Sequence, residues 1–147
     1  MLKLTDGQGL PVPLSDELNR PFWEAAREGR FVIPRCAECG QLMVPPVANC
    51  RACLATRFEW VPAGGRGTIY SFIEYHRAWI PEFADHLPYA VAIIELDEGP
   101  RLISLLVGET SDWVRIGAQV RVAFQERAGG ARVPVFEHDA HQRPDLA

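Results

Sequence analysis

Four cysteines in two short pairs, Cys36-Ala-Glu-Cys39 and Cys50-Arg-Ala-Cys53, are the only cysteines in the chain. Two residues lie inside each pair and ten between the pairs, which is the spacing of a zinc ribbon. Each Cys-x-x-Cys turn aims two sulfurs at one point, and two facing turns complete a tetrahedron. Gly40 follows Cys39, as suits a tight knuckle, whereas Leu54 takes the equivalent place after Cys53 and makes the second knuckle less standard. Four protein ligands close the coordination sphere, while a catalytic zinc keeps one position open, so the expected metal is structural. Other thiol chemistry fits less well. A thioredoxin-like redox motif needs one Cys-x-x-Cys, and two disulfides would suit a secreted chain, yet no apolar signal stretch follows Met1-Leu-Lys-Leu-Thr-Asp6. The same four thiolates also suit iron in a rubredoxin-like site, and spacing does not separate the two metals.

The 147 residues allow one ordinary domain, or a small domain plus a metal-stapled module. About half are apolar, enough for a core, and no apolar run approaches a membrane span, so a soluble, cytoplasmic protein is expected. The formal charge is −4, and four thiolates with one divalent zinc make it −4 − 4 + 2 = −6. Such an acidic chain is a poor general binder of nucleic acid, whose affinity comes largely from neutralising phosphates. Lys3 is the only lysine against fourteen arginines, and arginine is the better fork for phosphate or carboxylate.

The elements that position these residues are legible in outline. Residues 1–29 read as an irregular arm and a helix starting near Asn19 or Arg20, with Pro21 in its first turn and Gly29 closing it. Residues 30–62 form the ribbon: Arg30–Pro34 leads into the first knuckle, Gln41–Val44 leads away, and Arg57–Val61 is the last strand. Pro62-Ala-Gly-Gly65 reads as a hinge into a second module, residues 63–137, and residues 138–147 as a loose tail. In that module five strands are expected: 67–76, 89–97, 101–107, 119–126 and 132–137. Turns at Asp97-Glu-Gly-Pro100 and Ala128-Gly-Gly-Ala131 join the second strand to the third and the fourth to the fifth. Together these make a mainly β protein with an N-terminal helix, a rubredoxin-like zinc ribbon and a C-terminal five-stranded OB-fold barrel; an SH3-like barrel is the alternative. Twelve residues, Arg77–Pro88, separate the first two barrel strands, long for a hairpin. Trp79, Phe83 and Leu87 recur there every four residues, and Pro81 could begin a short helix. These apolar residues either cap the barrel's open end or form a partner or ligand surface.

Several separate motifs carry a family resemblance. Gly65-Arg-Gly-Thr-Ile-Tyr-Ser-Phe72, His76-Arg77, Pro88-Tyr89, Glu95-Leu-Asp-Glu-Gly-Pro-Arg101 and Val114-Arg-Ile-Gly117, with Phe22-Trp23-Glu24 and the four cysteines, resemble the zinc-ribbon plus OB-fold family of acyl-CoA-associated accessory proteins. That family was long catalogued as a domain of unknown function. The likeness spans residues 15–137 and departs from the family at Leu54 and at Trp79-Ile80. It implies a non-catalytic subunit that docks on a thiolase-superfamily protein (thiolase, acyltransferase or thiolase-like aldolase) and helps form its acyl-CoA site. The partner would supply the catalytic cysteine and histidines, and the ribbon and helix would help dock the two proteins.

The remaining chemistry agrees with this. All four cysteines are committed to metal, and there is no Gly-x-Ser-x-Gly elbow, Walker loop or Rossmann fingerprint. Asp97 and Glu98 read as solvated turn carboxylates. Ligand or partner contacts are assigned to His76, Arg77, Trp79, Phe83 and Tyr89; His76 would bond pantetheine or a partner chain, and Arg77 would lie near a CoA phosphate. Arg35, Arg51 and Arg57 flank the knuckles and are expected to offset the net charge of a four-thiolate zinc centre, though Arg51 could equally face a partner. Tyr70, Phe72 and Tyr75 on the first barrel strand raise the alternative of single-stranded nucleic-acid binding by stacking, but strand aromatics are usually core. Replacing Cys36 or Cys50 by Ser is expected to weaken the ribbon and abolish docking while leaving the barrel partly folded.

Overall fold

The structure, a computed structural model, describes residues 9–109 and 111–141. Helix α1 (Arg20–Arg27) has Pro21 in its first turn, and Gly29, with φ +73°, ends it. A helix of two turns cannot stand alone. It lies on the body of the protein through Ala25 and Ala26, which are fully buried and small enough for close approach. Strands β1 (Val32–Cys36) and β2 (Phe58–Pro62) pair antiparallel, Ile33 opposite Val61, and form the ribbon's two-stranded sheet. The segment leading away from the first knuckle makes only a single bridge, Arg35 to Leu42.

Five strands form the second unit: β3 (Arg66–Tyr75), β4 (Tyr89–Leu96), β5 (Arg101–Val107), β6 (Gln119–Glu126) and β7 (Arg132–His138). They close in the order β3-β4-β5-β7-β6, with β3 returning to pair with β6 and β5 running parallel to β7. This Greek-key closure is the OB-fold and not the SH3-like alternative. The β5–β7 pairing covers only Leu106↔Phe136 and Val107↔Glu137, so below it the two strands part and leave a seam in the wall. A bulge between Ile69 and Ser71 shifts the register of β3 and throws Tyr70 outward, 49% exposed, with Arg101 stacked 3.7 Å from its ring centre.

Ribbon and barrel share one core. Phe31 and Ile33 join Ile69, Ile94, Val120 and Phe136 in a single apolar cluster. The expected hinge is consequently held at three points. Ala63 N–H donates to Phe31 carbonyl (2.9 Å), Gly64 N–H to Glu98 Oε1 (2.8 Å), and Val122 N–H to Gly65 carbonyl (2.6 Å). Glu98, read from sequence as a solvated turn residue, thus ties the β4–β5 turn to the linker. The first residues of the segment expected to be a loose tail are packed. His138 ends β7 and stacks on Trp113 (5.2 Å), and Asp139 is buried beside Arg66 (3.6 Å). The rest of the tail, residues 142–147, lies outside the described residues.

Candidate metal centre and apolar groove

The two knuckles are near-copies. Gly40 N–H donates to Cys36 carbonyl (3.0 Å) and Leu54 N–H to Cys50 carbonyl (2.9 Å); Cys36 N–H donates to Gln41 carbonyl (2.9 Å) and Cys50 N–H to Ala55 carbonyl (2.8 Å). The match extends to the backbone, φ +77° at Gly40 and +65° at Leu54, the only positive φ outside glycine among the described residues. Left-handed backbone costs a residue with a Cβ about 1–2 kcal/mol. The repeat brings the four sulfurs within 4.8 Å of one another, with Cys36–Cys53 and Cys39–Cys50 each at 3.6 Å. Zinc–sulfur bonds of about 2.3 Å would put tetrahedral sulfurs about 3.8 Å apart, so the arrangement fits a four-thiolate metal ion. Cys36, Cys39, Cys50 and Cys53 would hold it, and zinc there would cross-link the ribbon.

Electrostatics in the metal-free cluster divide the thiols. Amides of Cys53 and Ala52 donate toward Cys50 and hold it down at about 6, and the Cys39 amide likewise lowers Cys36. Cys53 accepts from the Ala55 amide, yet burial and the neighbouring sulfurs push it up to about 12. Cys39 accepts from the Gln41 amide and is nonetheless raised by burial and by Cys50. Four negative sulfurs so close together need a cation. The flanking arginines do not supply it in the way expected: Arg35 pairs with Glu59 (2.9 Å) and Arg57 with Glu38 (2.8 Å). Each is neutralised by a carboxylate of its own ribbon, and Arg51 alone of the three makes no ion pair among the described residues.

A second feature is an open groove of about 640 Å³. Its back wall is the β5–β7 seam, Leu102–Leu105 against Val133–Val135; α1 contributes Phe22 and Trp23; the long loop contributes Trp79, Ile80 and Phe83. Pro81–His86 of that loop form a 3₁₀ turn. Tyr89 alternates with Val91 and Ile93 on the outer face of β4, and Phe83 packs on it (4.6 Å) while Tyr75 stacks from the other strand (4.8 Å). The loop therefore folds onto the barrel's outer wall and does not plug its end. Beyond it the outer face stays apolar through Ile73, Val91, Ile93 and Ile103, the last 71% exposed. Burial, with Tyr75 beside it, pushes the Tyr89 phenol up, so it stays protonated and can donate a hydrogen bond.

Of the five contact residues expected from sequence, Trp79, Phe83 and Tyr89 line this groove. Arg77 reaches its rim by stacking 4.7 Å from the Trp79 ring centre. His76 is not among the walls; it is exposed, with Nε2 3.4 Å from Glu74 Oε2. Sequence reasoning missed Phe22, Trp23 and the seam. The signal for the seam was present in Leu102-Ile-Ser-Leu-Leu-Val107, an almost unbroken apolar run where a strand wetted on one face would alternate.

A rubredoxin-like ribbon built into the side of an OB barrel is the class that this fold and metal centre define. The family models agree: "ChsH2, rubredoxin-like zinc ribbon domain" matches residues 23–59 and "ChsH2, C-terminal OB-fold domain" residues 60–125. A DUF35 domain-containing scaffold protein of Methanocaldococcus jannaschii is 33% identical over 119 residues, 80% of this chain and 84% of that protein. The chain belongs to the ChsH2, or DUF35, family. A solved structure titled "Ltp2-ChsH2(DUF35) aldolase" aligns with TM-score 0.76 and 38% identity over 86% of this chain and 98% of that one. A probable enoyl-CoA hydratase alpha subunit of Thermomonospora curvata is 39% identical over 126 residues, 86% of this chain. This chain spans only 39% of that relative's length. The benzoylsuccinyl-CoA thiolase subunit BbsA of Geobacter metallireducens is 34% identical over 71% of this chain and 68% of that protein. No helix among the described residues is long and apolar enough to cross a membrane.

Proposed function

We propose that this chain is a non-catalytic accessory subunit that docks on a thiolase-superfamily enzyme and completes or steadies its acyl-CoA site. The observation that carries the reading is the groove: aromatic, apolar, open to solvent and continuous with an apolar outer sheet face. Soluble proteins rarely leave such a surface uncovered without a partner or ligand for it. The names of the relatives point the same way, since they are subunits of acyl-CoA enzymes or scaffolds. The polar groups on the walls suit positioning better than reaction. Ser104 Oγ already donates to Pro134 carbonyl (3.1 Å), and the Tyr89 phenol is held protonated. In this account the groove supplies shape and apolar surface and excludes water, and the partner supplies the reacting groups.

The single-stranded nucleic-acid reading gains nothing from the geometry. Tyr75 stacks on Tyr89, Phe83 packs tilted against Tyr89 and Arg101 lies over Tyr70, so these rings are already engaged. The test is co-purification of the tagged chain from its native cell, with mass spectrometry and metal analysis on one sample. A roughly stoichiometric thiolase-superfamily protein and about one zinc per chain would support the reading. Nucleic acid, or no partner, would overturn it.

A further inference from the structure

The two knuckles repeat each other in hydrogen bonding and in backbone conformation, yet one carries Gly40 and the other Leu54 at the same place. At φ +65° glycine is the residue that backbone geometry favours, and leucine is disfavoured by its Cβ. Burial does not compensate. Leu54 is 73% exposed and belongs to neither apolar cluster. A side chain that both strains the backbone and meets water does nothing for the isolated ribbon. Beside it on the same knuckle stands Arg51, exposed and without an ion pair among the described residues, although Arg35 and Arg57 each hold a ribbon carboxylate. The metal centre is also open here, with Cys39 and Cys53 exposed while Cys36 and Cys50 are buried.

We infer that the second knuckle, Arg51–Leu54, is a docking anchor: Leu54 enters an apolar recess on the partner protein and Arg51 meets a carboxylate at the rim of that recess. An arginine beside a projecting apolar side chain supplies both a desolvated centre and a charged edge. Docking would also cover the exposed sulfurs. The inference rests on the proposed function for the existence of a protein partner, and it adds which residues of the ribbon hold that partner.

Leu54→Gly separates the two roles, because it relieves the backbone while deleting the anchor. In the zinc-loaded chain it is expected to keep its metal and to unfold about 2–4 °C above wild type. Its affinity for the enzyme that co-purifies with the wild-type chain, measured by calorimetry, is expected to fall at least about tenfold. Arg51→Gln, which leaves the backbone alone, is expected to weaken binding and to flatten its salt dependence. Unchanged affinity in both variants would overturn the anchor and leave the proposed function standing. A Leu54→Gly chain less stable than wild type would also overturn it, because the side chain would then serve the ribbon. Absence of any stoichiometric partner for the wild-type chain would overturn both readings.

Discussion

Phe31 of the ribbon meets Phe136 of the barrel edge to face, ring centres 6.2 Å apart and planes at 86°. Phe136 is fully buried and Phe31 nearly so, and Ile33 two residues on is fully buried in the same cluster. The contact makes the metal-stapled ribbon and the OB barrel one cooperative body. Phe31→Ala is expected to cost about 3–5 kcal/mol and to leave a single unfolding transition. Two separated transitions by calorimetry would contradict a shared core.

Metal loss should reach the barrel by the same route. From the sequence, a Cys36→Ser or Cys50→Ser chain was expected to keep its barrel partly folded. With Phe31 and Ile33 inside the barrel's core, Cys50→Ser is instead expected to lose the metal and to lower the melting temperature of the whole chain by more than about 10 °C. Circular dichroism of the barrel signal, alongside metal analysis, checks this.

Metal affinity is expected to rise with pH. Thiolates, not thiols, bind the ion, and in the metal-free cluster Cys53 and Cys39 are raised and hold their protons at neutral pH, while Cys50 near 6 has largely lost its own. Binding therefore releases at least the two protons of Cys39 and Cys53. Between pH 6 and 8 the apparent zinc affinity should increase by at least about 100-fold per pH unit, two protons each contributing tenfold. Competition with a chelator at three pH values reads the slope.

Gly65 and Gly67 admit no side chain. A Cβ at Gly65, φ +71°, would overlap Val122, and one at Gly67 would press on the Glu95 carbonyl and Ile94. Gly65→Ala and Gly67→Ala are each expected to destabilise the barrel by about 3 kcal/mol, measured by urea denaturation. At Gly99, where nothing lies within 4 Å, the cost of Ala is that of the positive φ alone, about 1 kcal/mol.

Much of this fold was legible because it is written locally. The ranges of β5 and β6 follow from apolar patterning between strong turns, and the metal centre from cysteine spacing. What was hidden depends on contacts between distant segments. The groove is assembled from Phe22, Trp79, Ile103 and Val133, more than a hundred residues from first to last. Tyr70 was read as core, because a bulge that reverses the facing of a strand leaves no periodic trace. Arg35 and Arg57 were given to the metal because their carboxylates come from distant segments: Glu59 from the opposite strand of the ribbon, and Glu38 from inside the first knuckle.

The Trp79 wall of the groove should be dispensable for folding. Trp79 is 70% exposed and its visible partner is the Arg77 cation, so Trp79→Ala is expected to cost less than about 1 kcal/mol. That makes it a clean probe. The most direct measurement is acyl-CoA turnover by the co-purified enzyme, stripped of this chain and then reconstituted with wild type, with Trp79→Ala or with Ile103→Glu. An accessory subunit that completes the site predicts low turnover for the stripped enzyme and restoration by wild type. Trp79→Ala should restore it only partly, and Ile103→Glu, which places a charge on the groove's wall, should fail to restore it. Full turnover by the stripped enzyme, or equal rescue by all three chains, would contradict the account.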